Sequence, residues 1–176
     1  MALIEDAILF AEEAHRGMKR KFDGTAYIRH PLSVMGILSG YYSQPEVLAA
    51  GVIHDTVEDC EDVTLEVIHE RFGEIVAGYV FYVSEKSRKD DGNRKVRKAI
   101  DLIHYSKGGS VSQDIKLADM LDNIPSMVLF NPVFSKVYLD EKMQLLGVLT
   151  KGNVELKSLA LKLVTNMFVL INDIKI

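Results

Sequence analysis

The stretch Gly51-Val52-Ile53-His54-Asp55-Thr56-Val57-Glu58-Asp59 decides how this chain is read. An apolar run, Val47-Leu48-Ala49-Ala50-Gly51-Val52-Ile53, ends on a histidine–aspartate pair, and two further carboxylates follow within one turn. Each helical residue advances by about 100°, so on a continuous helix His54, Asp55, Glu58 and Asp59 share one sector of roughly 140°. Four polar, metal-competent side chains at the edge of an apolar face are costly to bury unpaired. A divalent cation would neutralise the carboxylates and use their lone pairs.

The pattern around this stretch is helical throughout. Pro45 suits the first turn of the central helix, expected over 45–59, because its missing N–H has no helical partner there, and Ser43 is the expected cap. Apolar residues at helical spacing predict a first helix over 2–16. A basic loop follows, Arg16 to Thr25, and Pro31 opens a helix over 31–40. Two shorter helices, 64–72 and 74–83, are expected either side of Gly73, then a polar, mobile loop over 84–93. Helices over 94–105, 111–130, 134–150 and 153–173 complete the chain, with breaks at Gly108-Gly109 and Gly152-Asn153. Lys107-Gly108-Gly109-Ser110 lacks the order of a phosphate loop and follows no strand, so it reads as a plain turn. The expectation is all-α: a single-domain helical bundle over residues 1–176.

Composition narrows the function. With 176 residues, 48% hydrophobic and 26% charged, the chain has the make-up of a soluble globular protein. A net charge of −4 argues against nucleic acid held by general electrostatics. No apolar run approaches the roughly 20 residues of a membrane span. No secretory pattern opens the chain, so the expected location is cytoplasmic. The one cysteine, Cys60, is flanked by Asp59, Glu61 and Asp62, which raise a thiol pKa and oppose a nucleophilic role.

Two other segments supply what the central stretch lacks. Tyr27-Ile28-Arg29-His30-Pro31 places a histidine at a helix start. Lys116-Leu117-Ala118-Asp119-Met120-Leu121-Asp122-Asn123 places Lys116, Asp119 and Asn123 on one helical face. His30, His54, Asp55 and Asp119 make a set of two imidazoles and two carboxylates, which suits Mn²⁺, Fe²⁺ or Zn²⁺ better than Ca²⁺. Four protein ligands leave open positions for water and substrate. Arg16, Lys19, Arg20 and Lys21 put four cations within six positions, a match for phosphate oxygens. His15, His69 and His104 have no partners at ligand spacing and read as surface or packing residues.

These segments together resemble the HD phosphohydrolase superfamily, with its ordered H…HD…D pattern, and within it the RelA/SpoT-type alarmone hydrolase domain in its small stand-alone form. The residues that carry the likeness are Gly24 to Pro31, His54-Asp55-Thr56-Val57-Glu58-Asp59, and Lys116-Leu117-Ala118-Asp119 with Asn123; it spans about residues 7–130. The resemblance implies an HD-type bundle that hydrolyses guanosine tetra- or pentaphosphate at its 3′ side, releasing pyrophosphate and leaving GDP or GTP. It implies one divalent ion, Mn²⁺ in most such enzymes, on His30, His54, Asp55 and Asp119. Glu58 and Asp59 would handle water and proton transfer, and Arg20, Lys21, Tyr27 and Asn123 would contact the nucleotide. Ala26, where the family usually has Pro, and Met120, where a basic residue is common, depart from the pattern. Tyr138 or Lys142 is the nearest counterpart of its aromatic contact. An alternative keeps the metal and changes the substrate, to NADPH or a nucleoside monophosphate. Another is a nucleotide sensor without turnover, which the intact Glu58-Asp59 pair argues against.

Overall fold

A computed structural model describes residues 2–21 and 23–173; Phe22 of the basic loop, Met1 and residues 174–176 lie outside it. Among the described residues the protein is all-helical, as expected. The elements are α1 (Ala2–Ala14), α2 (Arg29–Ser39), α3 (Pro45–Ile53), α4 (Thr56–Asp59), α5 (Leu65–Val83), α6 (Arg94–Lys107), α7 (Ser110–Phe130), α8 (Pro132–Val148) and α9 (Val154–Asp173). The only extended pairing described is an isolated bridge between Lys19 and Ala26, which closes the basic loop.

Two helices are buried on every side, and they organise the rest. In α3 every residue from Val47 to Ile53 is buried, and in α7 every residue from Ser112 to Met120. The stretch of α3 is apolar all round and so belongs at the centre of a bundle, whereas the buried stretch of α7 carries Gln113, Asp114, Lys116 and Asp119, whose polar groups find partners there. Ile115 and Ala118 of α7 join the core built from α1, α2, α3 and α5. Leu117 and Met120 face the other way, into a second core shared with α8 and α9. Gly51 permits α3 to lie close on α2, because a Cβ there would stand 2.6 Å from Leu38 Cδ1. That approach brings His30, near the start of α2, beside His54 at the end of α3.

The central helix does not run from 45 to 59 as the sequence pattern predicts. It stops at Ile53, turns through His54 and Asp55, and resumes as the single turn α4. Side chains compete with the backbone at the break: Thr56 Oγ1 donates to Ile53 O at 2.8 Å and His54 Nδ1 to Gly51 O at 2.9 Å. Gln44, rather than Ser43, occupies the cap position of α3, without a side-chain capping bond. Gly73 adopts φ 84°, ψ 170°, so α5 is kinked at the residue expected to separate two helices. The loop over 84–93 is anchored where a mobile segment was expected. Buried Asp101 accepts hydrogen bonds from the backbone N–H groups of Lys86 and Ser87 and from Ser87 Oγ.

Asp114 ties the two cores at the far side of α7. Fully buried, it accepts a hydrogen bond from Tyr42 OH and another from Asn153 N–H at 2.6 Å, fixing the start of α9. A charged acceptor holding two donors is worth more than a neutral one. Asp114→Ala should therefore lower unfolding stability by about 2 kcal/mol, read from urea denaturation; an unchanged midpoint would contradict this role.

Candidate metal and nucleotide site

Four side chains from three elements, His30, His54, Asp55 and Asp119, converge where α2, the α3–α4 turn and α7 meet. One oxygen of Asp55 lies 2.9 Å from His54 Nε2 and the other 3.2 Å from His30 Nε2. Asp119 Oδ1 lies 3.4 Å from His30 Nε2 and 4.0 Å from His54 Nε2. The potential ligand atoms of His30, His54 and Asp55 all fall within 4.8 Å of one another. Both Nε2 atoms are buried and, despite those short separations, neither has an aligned hydrogen-bond partner.

The donor set fits a divalent cation. His54 Nδ1 donates to the Gly51 carbonyl, which leaves Nε2 as the lone-pair nitrogen facing the carboxylates. An unpartnered buried nitrogen is expensive unless something coordinates it. The electrostatics show the same demand for positive charge. Burial opposes the charged form of His30, yet the surrounding carboxylates of Asp119, Asp122 and Asp55 outweigh it and raise its pKa to about 11. Burial likewise opposes the ionised Asp55 and Asp119, but the two histidines, for Asp55, and Lys116 with His30, for Asp119, hold both carboxyls below their usual range.

Glu58 and Asp59 stand beside this cluster on α4 and open to solvent. The Glu58 carboxylate nevertheless sits among protein atoms, and desolvation with the nearby Asp55 and Glu85 raises its pKa to about 7 against the pull of Lys116. Desolvation and Asp55 also raise Asp59, opposed by the nearby Tyr27 hydroxyl. Tyr27 OH donates to Asp55 Oδ2 at 2.9 Å, and burial with the two carboxylates holds its phenol protonated.

A recess opens over these groups. Its walls include Tyr27, Asp55, Glu58, Asp59, Asp119 and Asn123, with Arg94, Lys98, Lys116, Tyr138, Glu141 and Lys142. Lys116 Nζ is 3.6 Å from Asp119 Oδ2 and above the Tyr105 ring; Lys142 Nζ lies above the Tyr138 ring. Arg94 makes a two-pronged ion pair with Glu141, and Lys98 pairs with Glu85. Carboxylates outnumber cations along these walls, so a polyanion would be repelled until a dication is added.

The structure thus gathers His30, His54, Asp55, Asp119, Glu58, Asp59, Tyr27 and Asn123 in one place. Arg20 and Lys21 are not on the walls of the recess. Arg20 reaches α7 instead, bonding Asp122, Asn123 and Ser126. Of the cations on the recess walls, Lys116 belongs to a segment the sequence singled out, whereas Arg94, Lys98 and Lys142 carry no local motif; Lys142 and Tyr138 were noted only as nearest counterparts. His15 was read as packing, and it is buried, but its ring stacks on Tyr27 at 4.6 Å between centroids. Cys60 is half-buried against Ala14, and burial, then Asp59 and Asp55, raise its thiol pKa.

Residues 7–129 match the HD domain. The chain belongs to the HD-domain family. Among HD-domain relatives it is 34% identical over 155 residues to guanosine-3′,5′-bis(diphosphate) 3′-pyrophosphohydrolase MESH1 of Xenopus tropicalis, covering 86% of this chain and 84% of that one. It is 36% identical over 126 residues to the MESH1 of Danio rerio, covering 70% and 68%. The GTP pyrophosphokinase of Streptomyces coelicolor is 41% identical over 128 residues, but the chain spans only 14% of that protein's length. A solved HD-domain structure, described as a metazoan orthologue of SpoT that hydrolyses ppGpp, superposes with a TM-score of 0.82 at 26% identity, covering 96% of this chain and 95% of that one. No described helix of this HD-domain chain is long and apolar enough to cross a membrane.

Proposed function

We propose that this chain is a divalent-metal-dependent hydrolase of guanosine 3′,5′-bis(diphosphate) and its pentaphosphate analogue, releasing pyrophosphate to leave GDP or GTP. The observation that carries the reading is the pair of buried, unpartnered imidazole nitrogens beside Asp55 and Asp119, two carboxylates that also line a recess carrying lysines and an arginine. Relatives of similar length that bear the name of this activity support the substrate class.

His30, His54, Asp55 and Asp119 would hold the ion, with Mn²⁺ the proposed species. When bound, it would supply Lewis acidity and make a water nucleophile available near neutral pH. Glu58 and Asp59 take the proton of the attacking water and return one to the ribose 3′ oxygen as the P–O3′ bond breaks. Tyr27 orients Asp55 through its hydroxyl. Lys116, Arg94, Lys98 and Lys142 balance the phosphate charge, and Tyr138 and Asn123 offer a ring face and an amide to the nucleoside. Arg20 reaches Asn123 from behind the recess, and Lys21 is its neighbour in the basic loop.

Purified protein with Mn²⁺ and guanosine tetraphosphate is expected to yield GDP and pyrophosphate in equal amounts, resolved by anion-exchange chromatography, and excess chelator should stop the reaction. Orthophosphate as the product, or an undiminished rate after metal is stripped, would overturn the reading.

A further inference from the structure

Asp122, outside the cluster, touches one of its histidines directly. A single oxygen of Asp122, Oδ2, lies 2.7 Å from His30 Nδ1 and 2.6 Å from Arg20 Nη1. His30 is 1% exposed, so this is an interior contact and not a surface ion pair. An ionised carboxylate can only accept, and Arg20 beside it favours the ionised form; the shared hydrogen must therefore sit on His30 Nδ1. In the neutral ring, the form that can bind a cation, that assignment leaves Nε2 as the bare nitrogen turned toward Asp55 and Asp119, the same arrangement that the Gly51 carbonyl imposes on His54.

Without an acceptor at Nδ1, a neutral imidazole is free to carry its proton on Nε2, which would point N–H into the cluster, and the ring is free to rotate. Arg20 extends the same support further: it also donates to Asn123 Oδ1 at 3.2 Å, and Asn123 Nδ2 donates to Asp119 Oδ1 at 2.5 Å. One guanidinium thus braces two of the cluster's side chains from behind, through Asp122 and through Asn123. The spacing puts Asp122 three residues from Asp119 on α7, which suits a surface or supporting residue alike, and only the tertiary contact with His30 decides between them.

We infer that Asp122 is a positioning residue which, through His30 Nδ1 and backed by Arg20, fixes the tautomer and orientation in which His30 presents Nε2 to a divalent cation. The inference rests on the metal site proposed above. Outer partners of metal-binding histidines typically change metal affinity by roughly 10–100-fold.

The test measures Mn²⁺ binding alone, by competition with a chelating fluorophore, in the full chain without nucleotide. Asp122→Ala is expected to weaken Mn²⁺ binding by roughly 10–100-fold. Asp122→Asn, which keeps an acceptor oxygen facing Arg20 and His30, should lie between that variant and wild type. A role confined to stability would lower the melting temperature of Asp122→Ala and leave its Mn²⁺ affinity at the wild-type value, and that result overturns the inference while sparing the metal site. Wild-type protein that binds no Mn²⁺ would overturn both. Should Asp122→Ala fail to fold, ¹⁵N–¹H correlation spectra of the zinc-loaded wild type decide the matter. A proton on His30 Nδ1 supports the assignment, and a proton on Nε2 overturns it.

Discussion

Asp55→Ala is expected to lower pyrophosphate release by at least about 10³-fold and to remove tightly held metal, with the helical far-UV signal unchanged. Asp55 is the one carboxylate whose two oxygens each approach a different histidine, and it also accepts from Tyr27 OH. Alanine there deletes a donor and leaves two imidazoles facing each other, for which like charge makes simultaneous protonation unfavourable. The fold has little reason to fail. Asp55 lies in the turn between α3 and α4, and the apolar residues that bury those helices are untouched. Metal analysis after dialysis, paired with chromatography of the nucleotide products, checks both halves. Wild-type metal content with no turnover would shift Asp55 from holding the ion to the chemistry itself.

Glu58→Gln separates chemistry from metal holding. Its expected result is a fall in kcat of about 10²–10⁴-fold with metal content retained and KM little altered, the loss typical of a missing proton-transfer group. In the wild type, a base must be ionised to accept the water's proton. With the Glu58 pKa raised to about 7 by desolvation, activity should climb as pH rises toward neutrality, and a bound dication would pull that limb lower. The variant should lack the limb. Stability supplies an independent sign. A carboxyl whose folded pKa exceeds its unfolded value holds more protons when folded, so stability falls as pH rises from about 4.5 to about 7. Glu58→Gln removes that cost, and its melting temperature in metal-free buffer should exceed wild type above pH 7. An equal or lower value there would contradict the buried-carboxylate account. A gain in stability with a loss of activity is the usual exchange at a functional site.

How much of the site could be read in advance depended on how local its logic is. Asp119 and Asn123 lie four apart on α7, and one helical turn is enough to bring them into contact, so their pairing was implicit in spacing. His54 and Asp55 are adjacent, and their ordered relation to His30 and Asp119 pointed to one coordination chemistry. Arg94 and Lys98 on α6, and Tyr138 and Lys142 on α8, are also one turn apart, but that spacing is common on any solvated helix face. Only the packing of α6 against α8 turns those faces inward over the cluster. The basic loop shows the reverse case: its cations were conspicuous in sequence, yet Arg20 folds back onto Asp122, Asn123 and Ser126 and leaves the recess to lysines from other helices.

Periodicity and punctuation alone determined that this chain is helical and roughly where each helix lies, because those properties depend on residues within a turn or two of one another. The proposed ligand set His30, His54, Asp55 and Asp119 came instead from the ordered segments and their resemblance to a family pattern. The tertiary structure alone decided that the central helix breaks at His54 and Asp55, that Asp122 stands behind His30, and which cations face the recess. The last two follow from contacts between residues far apart in the chain, Asp122 on His30 and α6 packed against α8. The break follows from side-chain hydrogen bonds only three residues apart that compete for the last carbonyls of α3, which apolar periodicity does not distinguish from a continuous helix.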